Sequence, residues 1–530
     1  MKNFDKFGVM IDCSRDAVPS VSGLKTFFGI IAKMGYNCAM LYTEDTYEVE
    51  GEPFFGYKRG RYTADELREI DEYAASVGIE VIPCIQTLAH LNAIFRWQEY
   101  GKIKDIDDIL ALDLERTYEL IENMLATLSK TVSSRTLHIG MDEAHNIGLG
   151  KYLDRNGFGN RYDILLAHLG RVCEMAKKYG YEVLMWEDMF FRLMQKGDYR
   201  TDKVIDFPEE ITAKIPKNCG MVYWDYYAER REVYDAMIIS SKKLSENVWF
   251  AGGAWTWSNF VPHNTLSNRR NGIAIPACID GGLRNAIFTM WGDDGAECTY
   301  FSALAMLMHA AALAEGLSEE EKRARFKEIT GEEYDAFMEL ELPNFVYGKE
   351  TTVGTSNYCK NRLYDDPFLG IVSTNSHGAD ASNYAEYAKM LRKRANESKN
   401  FAFLFENAAA LCECLEIKFD LVEKTRTLYL AGDKAGLRAL AENDYTEFLA
   451  RLERFHSAFR KQWYTANKTY GFEVHDLRMG GLMQRTKSCR ERLLEYACGE
   501  INEIAELAEA MLPFPEGHIH YGKTVSANIL

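Results

Sequence analysis

The sequence predicts an α/β fold, a (β/α)₈ TIM barrel followed by a mostly α-helical C-terminal domain. Three observations carry that reading. Over roughly the first 300 residues, eight short apolar runs alternate with amphipathic stretches, the order expected of parallel strands joined by helices. The runs are continuously apolar, as in strands covered on both faces. From Phe368 to Met511 there is no proline, and the pattern becomes helical throughout.

The runs fall at 7–12, 37–42, 79–84, 136–140, 182–186, 221–224, 248–251 and 286–290. No glycine-rich phosphate turn follows the first, which disfavours an open doubly wound sheet. Between runs, Thr63 and Glu66 form a capping box ahead of an apolar face of Leu67, Ile70, Tyr73, Ala74 and Val77, and Gly78 ends that helix. Tyr162 to Tyr179 repeats the pattern, with Gly180 at its end. Further on, helices are predicted over 384–397, 401–424, 434–459 and 487–511. The division expected is a barrel over 1–320, a connection over 321–379 whose later part runs over the barrel mouth, and a helical domain over 380–530. His518 and His520 read as a surface tail rather than a metal site.

Charge and composition narrow the function. Lys plus Arg number 62 against 79 Asp plus Glu, a net charge of −17, which excludes nucleic acid as a partner. No run approaches the roughly 18 apolar residues of a membrane span, and no apolar leader follows Met1, so a cytoplasmic protein is expected. The 12 cysteines are scattered without a CxxC pair and read as buried free thiols.

In such a barrel the site is built at the carboxyl ends of the strands. Asp12 and Arg15 follow the first run, Glu44 and Asp45 the second, Gln86 and His90 the third, Asp142 and Glu143 the fourth. Trp186, Glu187 and Asp188 follow the fifth, Tyr223, Trp224 and Asp225 the sixth, Trp255 and Trp257 the seventh, Trp291, Asp293 and Asp294 the eighth. On the fourth strand, alternation sends His138, Gly140 and Asp142 toward the barrel axis, with Glu143 just past the end. An ionised Asp142 raises the proton affinity of Glu143, as a general acid requires. A bland alternative is an Asp-Glu pair at a helix N-terminus. Indoles beside carboxylates suit a pyranose, which has apolar faces and a polar rim.

These residues resemble glycoside hydrolase family 20, the β-N-acetylhexosaminidases. The family's His-x-Gly-x-Asp-Glu appears as His138-Ile-Gly-Met-Asp-Glu143, its Asp-x-x-Arg as Asp12-Cys-Ser-Arg15, its Tyr-x-Asp as Tyr223-Trp-Asp225 and its Trp-x-acid as Trp291-Gly-Asp293. The likeness covers roughly residues 5 to 310 and is nearest the short bacterial N-acetyl-β-glucosaminidases. It implies an exo-acting, retaining enzyme that removes a terminal N-acetylhexosamine from oligosaccharides or glycoconjugates, without metal or cofactor. Glu143 is then the general acid, and the substrate's own acetamide attacks C1 to form an oxazolinium ion. Asp142 orients the acetamide, and Tyr223 hydrogen-bonds its oxygen. Arg15, Asp225 and Asp293 hold sugar hydroxyls, and Trp186, Trp257 and Trp291 wall the pocket. His90, with Glu44 or Asp45, tunes Glu143, and His138 supports from behind. Two departures stand out. The run Pro83-Cys-Ile-Gln-Thr-Leu-Ala-His90 replaces the family's Pro-Glu-x-Asp-x-Pro-Gly-His, and Asp293 stands where Glu is usual, so that Asp294 or Glu297 are alternatives. The rivals are a two-carboxylate glycosidase with Glu187 as nucleophile, a metal site of His138, Asp142 and His145, and a non-catalytic sugar-binding protein. The helical part is a candidate for pairing subunits into a homodimer.

Overall fold

The computed structural model describes residues 2–257, 259–346, 357–376, 381–514 and 520–528. Parts of the expected connection (347–356 and 377–379), the first residue of the expected helical domain (380) and part of the tail, His518 included, lie outside these residues. The described chain forms two compact units that interleave in sequence. One comprises 1–254, 267–291 and 306–325; the other comprises 255–266, 292–305 and 326–530. A single cut near 320 does not reproduce this, because the segments after the seventh and eighth strands belong to the second unit.

The first unit is a closed barrel of β1 (Lys6–Asp12), β2 (Cys38–Tyr42), β3 (Glu80–Cys84), β4 (Thr136–His138), β5 (Glu182–Trp186), β6 (Cys219–Trp224), β7 (Val248–Gly253) and β8 (Asn285–Met290). Every neighbouring pair is parallel, and β8 closes on β1 with Phe7 opposite Ala286 and Ile11 opposite Met290. The interior is packed by Met10, Met40, Ile82, Leu184, Val222 and Ile287, with Tyr42 and Trp186 above them. Those residues recur at every second position, which is the pleat of each strand.

Around the barrel run α1 (Val21–Met34), α2 (Ala64–Ser76), α3 (Glu115–Ser129), α4 (Arg161–Lys178), α5 (Asp188–Met194), α6 (Arg231–Ser241), α7 (Asn264–Asp280) and α8 (Leu304–Glu315). The predicted capping box is present: Thr63 Oγ1 accepts from Glu66 N at 3.1 Å, and Glu66 Oε2 accepts from Thr63 N at 2.8 Å. Two features depart from regular alternation. The β4 strand stops at His138 because Gly140 and Met141 turn left-handed, at φ 75° and 74°. After β5 the helix has only 7 residues, so the return to β6 is largely loop. All 12 cysteines are free thiols; 11 are buried and Cys498 is exposed.

The second unit is helical, led by α9 (Tyr384–Glu397), α10 (Ala402–Lys418), α11 (Asp444–Ala466) and α12 (Phe472–Cys498). Among the described residues no helix is long and apolar enough to cross a membrane.

Candidate active site

A ring of polar side chains spans the ends of β1 to β5, and the backbone there is bent to make it. Asp16, Glu44, His90, Met141 and Glu143 all hold positive φ, between 45° and 74°. Such residues cost on the order of 1–3 kcal/mol each and persist where surrounding contacts over-determine them. From β1, Asp12 accepts from Ser14 N at 2.8 Å and pairs with Arg15 at 3.5 Å. Arg15 also pairs with Glu44 at 3.2 Å and lies over the Tyr42 and Trp291 rings. The Tyr42 hydroxyl donates to Glu44 at 3.0 Å and accepts from Gln86 Nε2 at 2.9 Å; the same amide donates to Asp142 at 2.7 Å. Gln86 Oε1 in turn accepts from Met141 N at 3.2 Å. Gly140 makes room for this carboxamide, since a Cβ there would collide with Gln86 and come 2.8 Å from Ile85 O.

At the centre, the proton affinities of the adjacent carboxylates are shifted in opposite directions. Burial alone would raise Asp142, but His90 Nε2 lies 3.2 Å from its Oδ2, and that charge, with the Gln86 bond, holds it down to about 2. Burial likewise opposes charge on His90, yet Asp142 outweighs it and pushes the imidazole up to about 10. Glu143 is raised by burial first, then by the charges of Asp142 and Asp188. Its side chain is nonetheless 40% exposed, with Oε2 3.8 Å from His90 and Oε1 3.2 Å from Arg192. The result is a cationic imidazole, an anionic aspartate and, beside them, a glutamate whose affinity for a proton is raised. No helix starts at this pair; the next begins at Lys151.

Beneath lies an aromatic floor. His138 is fully buried, accepts from Gly140 N at 3.1 Å and packs 4.5 Å from Trp186. Burial lowers the His138 imidazole to about 3, so the ring is neutral. The centroids of Trp186 and Trp291 are 6.1 Å apart, and Trp291 Nε1 donates to Tyr226 at 3.1 Å. Trp224 stacks on Tyr226 at 5.3 Å.

Other sequence candidates have partners of their own. Tyr223 faces outward from β6, among Tyr234 of α6, Phe250 and Tyr199, and donates to Asp225 at 3.0 Å. The reason is the pleat: Val222 and Trp224 take the interior side, so Tyr223 has the other. Asp225 is spent on Tyr223, Tyr227 N and Ala228 N. Asp45 pairs with Arg59 at 2.9 Å, and Glu44 with Arg15. The carboxylates in direct reach of His90 are Asp142, Glu143 and Asp108, whose Oδ2 is 3.7 Å from Nδ1, while the Glu44 charge also raises its proton affinity. Glu187 is fully buried, accepts from Ser241 of α6 at 2.7 Å, and is pushed up to about 8 by burial. Trp257 and Asp293 belong to the second unit. Trp257 stacks on Trp255 at 4.2 Å, and Asp293 is half-buried. Asp294 and Glu297 are engaged there by Lys360, at 2.9 and 2.5 Å, and by Arg478, at 3.1 Å each.

Comparison with known families decides the class. Residues 35–234 match the model of the glycosyl hydrolase family 20 catalytic domain, and residues 335–525 match that of the glycoside hydrolase 20C C-terminal domain, so the two span well over half of the chain. The chain belongs to glycoside hydrolase family 20. It is a glycoside hydrolase of the β-N-acetylhexosaminidase class, whose substrates are glycans containing N-acetylhexosamine. It is 23% identical over 297 residues to hexosaminidase D of Bos taurus, covering 52% of this chain and 82% of the relative. To hexosaminidase D of Homo sapiens it is 23% identical over 242 residues, 43% of this chain but only 46% of that protein. Among solved structures, the family 20 exo-β-N-acetylglucosaminidase from Vibrio harveyi is similar at 16% identity and a TM-score of 0.45, covering 64% of this chain and 57% of that one.

Within this family 20 site, sequence reasoning placed Gln86 and Asp188 at strand ends but gave them no role, and missed Arg192 and Tyr226. Gln86 continues the interior side of β3 after Ile82 and Cys84, a signal the alternation held. Asp188 and Arg192 are four residues apart in the short helix Asp188–Met194, the spacing of an ion pair. Tyr226 follows a strand end that already supplied Tyr223, and only the pleat tells the two apart.

Proposed function

We propose that the chain is an exo-acting, retaining β-N-acetylhexosaminidase working by substrate-assisted catalysis. The observation that carries this is the pairing of Asp142, hydrogen-bonded by Gln86 and 3.2 Å from His90, with an adjacent Glu143 whose proton affinity is shifted the opposite way. In the first step Glu143 gives its proton to the glycosidic oxygen, the C1–O bond breaks, and the acetamide oxygen bonds to C1. Asp142, kept anionic by His90, accepts from the acetamide N–H and offsets the positive charge of the oxazolinium ion. Water then adds to C1, its proton returns to Glu143, and the acetamide re-forms with net retention. Trp186 and Trp291 suit the walls of the acetamide pocket, and Arg15 with Glu44 suits the sugar hydroxyls. The hydroxyl offered to the acetamide oxygen is assigned to Tyr226, which is buried beside Trp291 and senses the Asp142 charge. Burial of Glu187 against Ser241 disfavours it as a nucleophile.

The test is hydrolysis of an aryl N-acetyl-β-glucosaminide and its galacto epimer. Glu143→Gln is expected to lower kcat by a factor on the order of 10² or more with binding retained. Glu187→Gln is expected to stay within a few-fold of the parent. Replacing the substrate's acetamido group by hydroxyl abolishes turnover on this reading; sustained hydrolysis of that substrate, lost in Glu187→Gln, establishes the two-carboxylate route instead.

A further inference from the structure

Behind Glu143 lies a second ion pair that the acid-base scheme does not use. α5 opens directly at the end of β5 with Asp188, and one helical turn later it presents Arg192 on the same face. Arg192 Nε donates to Asp188 Oδ2 at 2.8 Å, Nη1 to Gly197 O at 3.2 Å, and Nη2 to Glu143 Oε1 at 3.2 Å. The Arg192 side chain is only 16% exposed and lies beside the Tyr199 and Trp224 rings. Asp188 is fully buried, and its Oδ2 also accepts from the backbone N–H of Glu143 at 3.2 Å. Residue 143 is thus held at two points by one pair, its amide by Asp188 and its carboxylate by Arg192.

We propose that Arg192, anchored by Asp188, is a positioning residue that grips the carboxylate of Glu143 and aims it at the leaving-group oxygen. This inference rests on the proposed role of Glu143 as the acid and base. The planar fork matters: three of its nitrogens are each fixed to a different partner, which a lysine ammonium cannot reproduce. The grip is strongest on the anion, the form present after the proton has gone to the aglycone, when Glu143 must take a proton from water. Without it the carboxylate is left to swing on a residue whose backbone is already left-handed, at φ 50°.

The groups facing Glu143 are His90 from the loop after β3, Asp142 beside it, His145 on its own turn, and Asp188 and Arg192 from α5. Arg192 and Asp188 act on its proton in opposite senses, and that gives the test. Removing the cation in Arg192→Met raises the proton affinity of Glu143, so the alkaline limb of kcat/KM moves up by about one pH unit. Removing the anion in Asp188→Asn moves it down. Arg192→Lys keeps the charge and loses the fork, so the limb stays near the parent value while kcat falls about tenfold. The ¹³C resonance of the Glu143 carboxyl, assigned by its loss in Glu143→Gln, is titrated in the parent and all three variants and reads the same shifts without turnover. Opposite movements in Arg192→Met and Asp188→Asn support the proposal, and the lysine variant with Asp188→Asn carries the test should the methionine variant not fold. A limb and a titration that stay at the parent values in every folded variant overturn it. An enzyme that titrates as expected but leaves N-acetyl glycosides intact instead refutes the assigned reaction.

Discussion

Two imidazoles at the end of the barrel are shifted in opposite directions, one toward its charged form and one toward its neutral form. His90 and His138 both lie within the barrel mouth, yet His90 meets Asp142 at 3.2 Å and His138 meets a backbone N–H and an indole. That difference makes His90 the counter-ion and His138 a piece of floor. The sign of the resulting pH dependence follows. His90 is raised from 6.5 to about 10, so its contribution to stability is complete below about 6.5 and is lost as pH rises through 10. Asp142 is lowered from 3.8 to about 2, so the same interaction is complete above 3.8 and is lost as pH falls through 2. Both describe one pair and are counted once, between about 2 kcal/mol from the Asp142 shift and about 5 kcal/mol from the His90 shift. His90→Gln is therefore expected to flatten the decline in unfolding temperature between pH 6.5 and 10, and scanning calorimetry across that range checks it. A parent-like decline in the variant assigns the alkaline loss to other groups.

At the scale of elements, the strands and helices were legible because burial on both faces and capping leave strong local marks. All eight strands and the box at Thr63 lie where hydrophobicity and capping predict. What local pattern missed was decided by tertiary contacts. The predicted helix over 401–424 is two helices: α10 stops at Lys418, whose buried ammonium donates to Arg362 O and Asp365 O, and no Gly or Pro marks the break. Conversely α12 begins at Phe472, far ahead of the predicted 487, because it carries Gly480 and Gly481 in its interior. Each glycine costs about 1 kcal/mol there, and the packing of Phe472, Met479 and Leu482 offsets it. The Asp142–Glu143 pair was legible from a motif; the outward turn of Tyr223 required the register of β6 against its neighbours. The end of β4 is the element where fold and chemistry meet. Gly140→Ala forces φ 75° on a residue with a Cβ and displaces Gln86 from Asp142. A loss of about 2 kcal/mol in stability is expected, with turnover reduced at least tenfold. Urea unfolding and the aryl glycoside assay measure the two effects separately.

At the scale of the whole molecule, the interleaving of the two units sets how the chain divides. The second unit is not a C-terminal tail that begins at one point: it takes in 255–266 and 292–305, which leave the barrel strands β7 and β8 and supply residues the later helices need. Lys360 is buried and Arg478 half-buried there against Asp294 and Glu297, His475 bonds Gly295 O at 2.8 Å, and Glu341 accepts from Thr265 N at 2.8 Å. A fragment of 326–530 keeps the cations and loses their carboxylates. Breaking a buried pair by removing one partner costs about 3–5 kcal/mol, and here two cations are orphaned together. That fragment is expected to keep helical far-ultraviolet dichroism but to lose near-ultraviolet signal and cooperative melting. A fragment of 292–530 restores Asp294 and Glu297 and is expected to recover part of the cooperativity, with Lys360→Met in the full chain as the matching lesion. A sharp, parent-like transition in 326–530 alone would mean that the helices are stable without the returned segments and that these ion pairs contribute little.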